Sequence, residues 1–202
     1  MKRELIGLTQ DELREFMGAL GEKPYRASQL FQAIHRRRIA SFDRITDLPK
    51  TLRRILDQHA VVTFTESENI FLSSDGTRRF LLKLSDGSEV ESVFMPEQRR
   101  DTICISSQVG CPLACDFCMT GVIGLKRNMT SGEIVSQVVI VLNQVYGEVV
   151  ELPKRTNIVM MGMGEPLLNY DEVMKAVPSA VVIPYFGDPL SAAGPALSKL
   201  GN

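Results

Sequence analysis

The sequence predicts an α/β chain in three stretches. These are an N-terminal helical domain (1–60), a small antiparallel β meander with its connection (61–100), and the first two to three β-α units of an incomplete parallel assembly (101–202). Three observations predict it. Apolar residues recur at helical spacing as far as about residue 60. The period then falls to two, broken by two Asp-Gly turns. Beyond residue 100, short apolar strands alternate with capped helices.

In the first stretch, Thr9-Gln-Asp-Glu12 is a capping box, with Glu12 three residues after the cap. Leu13, Phe16, Met17 and Leu20 follow on one helical face, and Gly21 supplies a stop. Tyr25 to Arg37 predicts a second helix facing inward through Ala27, Leu30, Phe31 and Ile34. Leu48-Pro49 opens a third, with Leu52, Ile55 and Leu56 inside. Lys and Arg outnumber Asp and Glu in this stretch. Arg36-Arg37-Arg38 beside Arg53-Arg54 reads either as a phosphate-facing surface or as a solvated helix face.

The second stretch predicts short strands at Val61–Thr65, Ile70–Leu72, Thr77–Leu84 and Glu89–Met95. Ser74-Asp75-Gly76 and Ser85-Asp86-Gly87 supply turns. Glu89 and Glu91 share one face of the last strand, and Val90, Ser92 and Phe94 share the other. From pattern alone Glu91 is an ordinary solvent-facing carboxylate. Pro96-Glu-Gln-Arg-Arg100 reads as a polar connection and domain boundary.

The third stretch begins with a buried strand, Thr102-Ile-Cys-Ile-Ser106, then a cysteine-rich loop. Thr130-Ser-Gly-Glu133 caps a helix whose apolar face holds Ile134, Val138, Val141, Leu142 and Val145. Thr156–Met161 is a second buried strand, ending in Gly162-Met-Gly-Glu-Pro166, and Tyr170–Val177 a short helix. This β-α order favours a parallel sheet. Ala180–Pro184 reads as a third strand, crowded by Pro178, Pro184, Pro189 and Pro195. So few units cannot close a barrel. The expectation is an N-terminal part of a longer protein, or a gene with a damaged end.

Composition is that of an ordinary globular chain: 202 residues, 44% hydrophobic, 23% charged and a net charge of −1. The balance announces neither nucleic acid nor membrane. No signal-peptide run and no span of about 18 apolar residues is present. Reduced thiols without an export signal imply a cytoplasmic protein.

The chemistry concentrates at Cys111-Pro-Leu-Ala-Cys115-Asp-Phe-Cys118. Three thiols at i, i+4 and i+7 can face one point if the backbone loops around it, as a soft metal centre requires. Three ligands suit a four-iron cube with one open iron. Structural zinc, with Cys104 as fourth ligand, is the rival, and free redox thiols are a third reading. A disulfide framework is not expected, because all four cysteines lie within one short span. The Gly162-Met-Gly-Glu-Pro166 loop leaves its strand at the end where α/β sheets bind ligands. Its glycines allow close backbone approach, and Glu165 offers an acceptor for an ammonium group.

These motifs carry a resemblance. The C-x3-C-x2-C spacing, with Phe117 before the last cysteine, is the signature of radical S-adenosylmethionine (SAM) enzymes. Residues of about 5–177 resemble the RlmN family, which methylates C2 of an adenine in 23S rRNA and in tRNA. The residues that carry it are Gly87 to Met95, Thr102 to Gly121, and Asn157 to Asn169. The resemblance implies an incomplete radical SAM, TIM-like partial barrel behind an RNA-facing helical domain. It implies a [4Fe-4S] cluster on Cys111, Cys115 and Cys118, with SAM contacted by Gly164, Glu165 and, through a weak echo in the tail, Ser191. In the family a radical made from SAM takes a hydrogen from a methyl group carried on a late cysteine, and the carbon radical adds to the adenine. Glu91 matches the proposed base that removes the ring proton. Cys104 matches the cysteine that resolves the protein–RNA adduct by forming a disulfide with the methyl carrier. Implied partners are 23S rRNA, tRNA and an electron donor such as flavodoxin, with the protein monomeric and off the membrane.

One departure stands out: no cysteine follows Cys118, so the methyl carrier is absent from these residues and the chain alone is expected to be inactive. Two alternatives are a C8-specific rRNA adenine methyltransferase of a sister family and a non-catalytic zinc- and RNA-binding remnant.

Overall fold

The computed structural model describes residues 2–113, 115–148 and 151–182. The helical stretch is closed at its ends by a short parallel pair, β1 (Arg3–Glu4) with β2 (Ala60–Val61). Between them lie α1 (Gln10–Ala19), α2 (Pro24–Phe31), a π-helical turn (Gln32–Arg36), a 3-10 turn (Phe42–Arg44) and α3 (Lys50–His59). The predicted capping box forms. Thr9 Oγ1 accepts from the Glu12 N–H at 3.2 Å, and Glu12 Oε2 accepts from the Thr9 N–H at 2.8 Å. Of the predicted inward residues, Leu13, Phe16, Met17, Ala27, Leu30, Phe31, Ile34, Leu52 and Leu56 are buried, whereas Leu20 is half-buried and Ile55 is exposed.

The second helix departs from regular α geometry at its end. The π turn leads into Arg38, a non-glycine residue at φ 53 that is almost wholly buried. Its Nε donates to Asn143 Oδ1 at 2.7 Å and an Nη to the Gly147 carbonyl at 3.0 Å. Arg37 pairs with Asp47 at 2.8 Å, and Arg53 donates to the Asp43 carbonyl. Several arginines of the predicted basic face are therefore engaged in internal contacts.

The chain continues through β3 (Glu66–Leu72), β4 (Arg78–Lys83), β5 (Glu89–Pro96) and β6 (Arg100–Cys104). Then come β7 (Gln108–Gly110), α4 (Met119–Ile123), β8 (Leu125–Asn128) and α5 (Ser131–Tyr146). After these follow β9 (Arg155–Val159), a 3-10 turn (Pro166–Asn169) and α6 (Tyr170–Val182). One five-stranded sheet runs β3-β4-β5-β6-β9. Its first three pairings are antiparallel and β6–β9 is parallel. The meander and the β-α unit thus share a sheet, which continues across residues 96–100.

α5 is the crossover between the parallel strands. Its Ile134, Val138, Val141 and Leu142 are buried, as are Val90 and Phe94 on β5 and Ile103 on β6. Each such side chain contributes about 1.5–3 kcal/mol by leaving water. Phe94 meets Tyr146 edge to face, with centroids 6.0 Å apart. α6 packs along α5. The fold is the expected mixed α/β arrangement, with three local corrections. Of the strand predicted at 61–65 only Val61 is in a strand, as the end of β2. The β7–β8 hairpin was not foreseen. Ala180, assigned to a third strand, is helical, because α6 runs on through Pro178. Ala176, Ser179 and Ala180 are buried there, and that packing offsets the backbone hydrogen bond that proline cannot make.

Candidate active site

The two loops that leave the carboxyl ends of β6 and β9 are stitched together. The Gly162 N–H donates to the Ile105 carbonyl at 3.1 Å, and the Ser107 and Gln108 N–H groups donate to the Met163 carbonyl at 2.9 and 3.2 Å. Met163 N–H donates to Ser106 Oγ at 2.9 Å, and Glu165 N–H to Gln108 Oε1 at 2.9 Å. The glycines make this approach possible. A Cβ on Gly162 would stand 2.7 Å from Ser106 Oγ. On Gly164, at φ 96, it would stand 2.5 Å from Gln108 Cβ. Glu165 turns one carboxylate oxygen onto the Leu167 N–H at 3.0 Å. Asn169 clamps the base of the loop by donating to the carbonyls of Ser107 and Met129 at 2.7 and 2.8 Å.

The cysteine loop starts one strand later. β7 pairs with β8, and the Cys111 N–H donates to the Gly124 carbonyl at 3.1 Å, so the loop is pinned at its base. Within it the Cys118 N–H donates to the Cys115 carbonyl at 3.0 Å. Cys111 is buried, Cys118 half-buried and Cys115 exposed, and all are free thiols. The backbone N–H groups of Gly121 and Thr120 pull the Cys118 thiol below its usual range, toward thiolate. Phe117 is 92% exposed, and Met119, Val122 and Ile123 are also open to solvent.

Three free thiols on one pinned loop are a donor set suited to a thiophilic metal centre. In the chain by itself they are not gathered. Among the described residues, no three His, Cys, Asp or Glu side chains are placed to hold a metal ion.

Glu91 and Cys104 lie on the sheet face opposite α5. Val93 pairs with Cys104 across β5 and β6, so Glu91, two residues along, projects from the same face. Arg79 Nη1 donates to Glu91 Oε1 at 2.7 Å, and the guanidinium lies 4.6 Å from the Phe71 ring centroid. Glu91 is thus a paired, half-exposed carboxylate. Burial raises the Cys104 thiol above its usual range, opposed by a hydrogen bond from the Met161 backbone. The expected disulfide role of Cys104 finds no support: the described cysteines are free, and the sequence holds none after Cys118 to serve as partner. Ser191 lies outside the described residues.

Four polar side chains went unmarked in the sequence: Ser106, Gln108, Gln137 and Asn169, all buried. Gln137 did leave a signal. It falls between Ile134 and Val141 on the stripe of α5 that faces the core, where an amide needs a dedicated partner.

Comparisons with known proteins bear on this arrangement. Residues 3–62 match the family model described as "Ribosomal RNA large subunit methyltransferase N-terminal domain". Residues 105–180 match the "Radical SAM superfamily" model, which spans both site loops. Two relatives are each named dual-specificity RNA methyltransferase RlmN. That of Halorhodospira halophila is 48% identical over 175 residues, covering 86% of this chain and 47% of the relative. That of Geobacter sulfurreducens is 48% identical over 174 residues, covering 86% and 46%. The chain belongs to the RlmN family. A crystal structure of a radical SAM methyltransferase from Sphaerobacter thermophilus is similar at TM-score 0.77 and 41% identity, over 87% of this chain and 51% of that one. The chain therefore spans about half the length of the RlmN relatives it matches. No helix among its described residues is long and apolar enough to cross a membrane.

Proposed function

We propose that this chain carries the cluster- and SAM-binding half of an RNA methyltransferase of the RlmN type, acting on C2 of adenine in 23S rRNA and tRNA. The observation that carries the reading is the seam between the two loops at the ends of β6 and β9. It joins the segment that leads from β6 into the cysteine loop, Ile105 to Gln108, to the Gly-Met-Gly-Glu-Pro loop beside the one parallel strand pair. The radical SAM superfamily uses a [4Fe-4S] cluster and SAM. When bound, these supply one-electron cleavage of SAM and hence radical chemistry. Cys111, Cys115 and Cys118 would hold the cluster, and the donor set fits it. Bound there, the cluster would tie the three thiolates of this loop together, since metal binding and local folding are commonly coupled.

The chain's own residues would do the following. Gly162 and Gly164 let the loop backbone pack against Ser106 and Gln108, which would hold it in place for SAM. Glu165 accepts from the ammonium group of SAM. Glu91 receives the ring proton of the flipped adenine, with Arg79 holding its carboxylate. Cys104, on the same sheet face as Glu91, is assigned to this site by the resemblance alone. Ser191 is assigned to SAM contact on sequence alone. The division into a helical unit facing RNA (1–60), a connection (61–100) and a catalytic core (101–202) belongs to this proposal, supported at its start by the match over residues 3–62. So do a cytoplasmic site of action, a monomeric state and an electron donor such as flavodoxin. Methyl transfer further needs a cysteine that the 202 residues do not contain after Cys118.

The test is anaerobic reconstitution followed by metal analysis and SAM titration. About four irons per chain, and SAM binding that depends on them, are expected. Zinc at about one per chain with no uptake of iron would overturn the reading in favour of a structural zinc site.

A further inference from the structure

Two buried polar side chains bridge the seam between the loops, Gln108 and Ser106, and Ser106 reaches furthest. Ser106 Oγ donates to the Glu91 carbonyl at 2.7 Å and accepts from the Met163 N–H at 2.9 Å. One hydroxyl therefore joins the strand that carries Glu91 to the loop that carries Gly164 and Glu165. Ser106 is itself gripped by α5. Gln137 Oε1 accepts from the Ser106 N–H at 2.8 Å, and Gln137 Nε2 donates to the Ser106 carbonyl at 2.8 Å. Ser92 Oγ also donates to Gln137 Oε1, at 2.9 Å. Ser106 and Gln137 are fully buried and Ser92 nearly so. A satisfied polar cluster in a dry interior fixes geometry more sharply than apolar packing, since each group has one compatible arrangement.

We infer that Ser106, held by Gln137, is a positioning residue that sets the spacing between the Glu91 strand and the Gly-Met-Gly-Glu-Pro loop, and so orients the loop toward SAM. The inference rests on the function proposed above. The mechanism is steric as well as polar. The Gly162 backbone lies so close to Ser106 Oγ that a Cβ there would come within 2.7 Å. The loop therefore rests directly on the hydroxyl that fixes it. The Gln137 amide reads both main-chain polar groups of Ser106, which keeps the hydroxyl aimed at the loop.

The test uses the whole 202-residue chain and has two independent arms. In the first, amide hydrogen exchange is measured on the metal-free protein. Ser106→Ala should speed exchange around Met163 to Glu165 by roughly tenfold, the scale of one lost buried hydrogen bond. The amides of α5 and of the β4–β5 pairing should keep their wild-type rates. Ser92→Ala removes only the outer hydroxyl and should leave the loop unchanged. If Ser106→Ala does not fold, Ser106→Cys keeps the size and weakens both hydrogen bonds. Unchanged loop exchange in the Ser106 variant, or equal loosening by Ser92→Ala, overturns the inference. In the second arm, reconstituted Ser106→Ala should load iron as wild type does and bind SAM about tenfold more weakly. Equal SAM affinity overturns the inference. Failure of the wild type to bind SAM would overturn the proposed function instead, and the exchange comparison then decides the positioning role by itself.

Discussion

Gly164 and Gln108 are packed backbone against side chain. At φ 96, Gly164 leaves no room for a Cβ, which would lie 2.5 Å from Gln108 Cβ and 2.7 Å from its backbone nitrogen. Gln108 Oε1 in turn accepts from the next residue's N–H at 2.9 Å. Gly164→Ala meets both a disfavoured backbone conformation and rigid neighbours, so the loop must move. We expect a loss of about 1–3 kcal/mol, read by urea unfolding, with SAM binding to the reconstituted chain abolished. A variant that binds SAM normally would refute this.

Cys118→Ala removes one of three thiols on the pinned loop, the one whose thiol is already drawn toward thiolate. Iron after anaerobic reconstitution should fall to background, while the unfolding midpoint of metal-free protein changes little. Full iron loading of this variant would show that Cys118 is not a ligand.

Arg38→Ala should be among the costlier substitutions in the helical stretch. It removes charge-assisted hydrogen bonds to Asn143 Oδ1 and to the Gly147 carbonyl in a buried place. The expected loss is about 2–3 kcal/mol. Since both partners sit at the end of α5, increased hydrogen exchange there should accompany it.

His35 is fully buried against Phe31, at 4.4 Å between centroids, with Ser179 Oγ 3.5 Å from Nε2. Burial lowers its pKa to about 3 from 6.5. The folded chain therefore resists a proton that the unfolded chain accepts below 6.5. Stability from this residue is intact above that pH and declines as pH falls toward 3, by up to about 1.4 kcal/mol per pH unit. Denaturant midpoints between pH 7 and 4 should show a slope that flattens in His35→Phe.

Much of this was legible in the chain itself. Both capping boxes, Thr9–Glu12 and Thr130–Glu133, formed as read, because a cap is a local device whose partners lie three residues apart. The face alternation of β5 held for the same reason. The cysteine spacing and the Gly-Met-Gly-Glu-Pro loop were visible as motifs. What the motifs could not disclose was the seam between them. The bonds of Ser106 to Glu91 and Met163 span 15 and 57 residues, and no local pattern encodes such a pairing. Ala180 departs from the strand reading because α6 runs on through Pro178 with Ser179 and Ala180 buried. Arg38 reads as part of a basic face in sequence, whereas after the π turn, at φ 53, its side chain is buried on Asn143 and the Gly147 carbonyl, partners more than 100 residues away.

That π turn at Gln32–Arg36 makes the seating of Arg38 a matter of counting. The turn absorbs one residue more than an ordinary helix would hold, and a length change that it did not absorb would rotate everything downstream by roughly 100°, carrying the guanidinium away from Asn143. The segment should therefore accept many changes of residue type and very few changes of length.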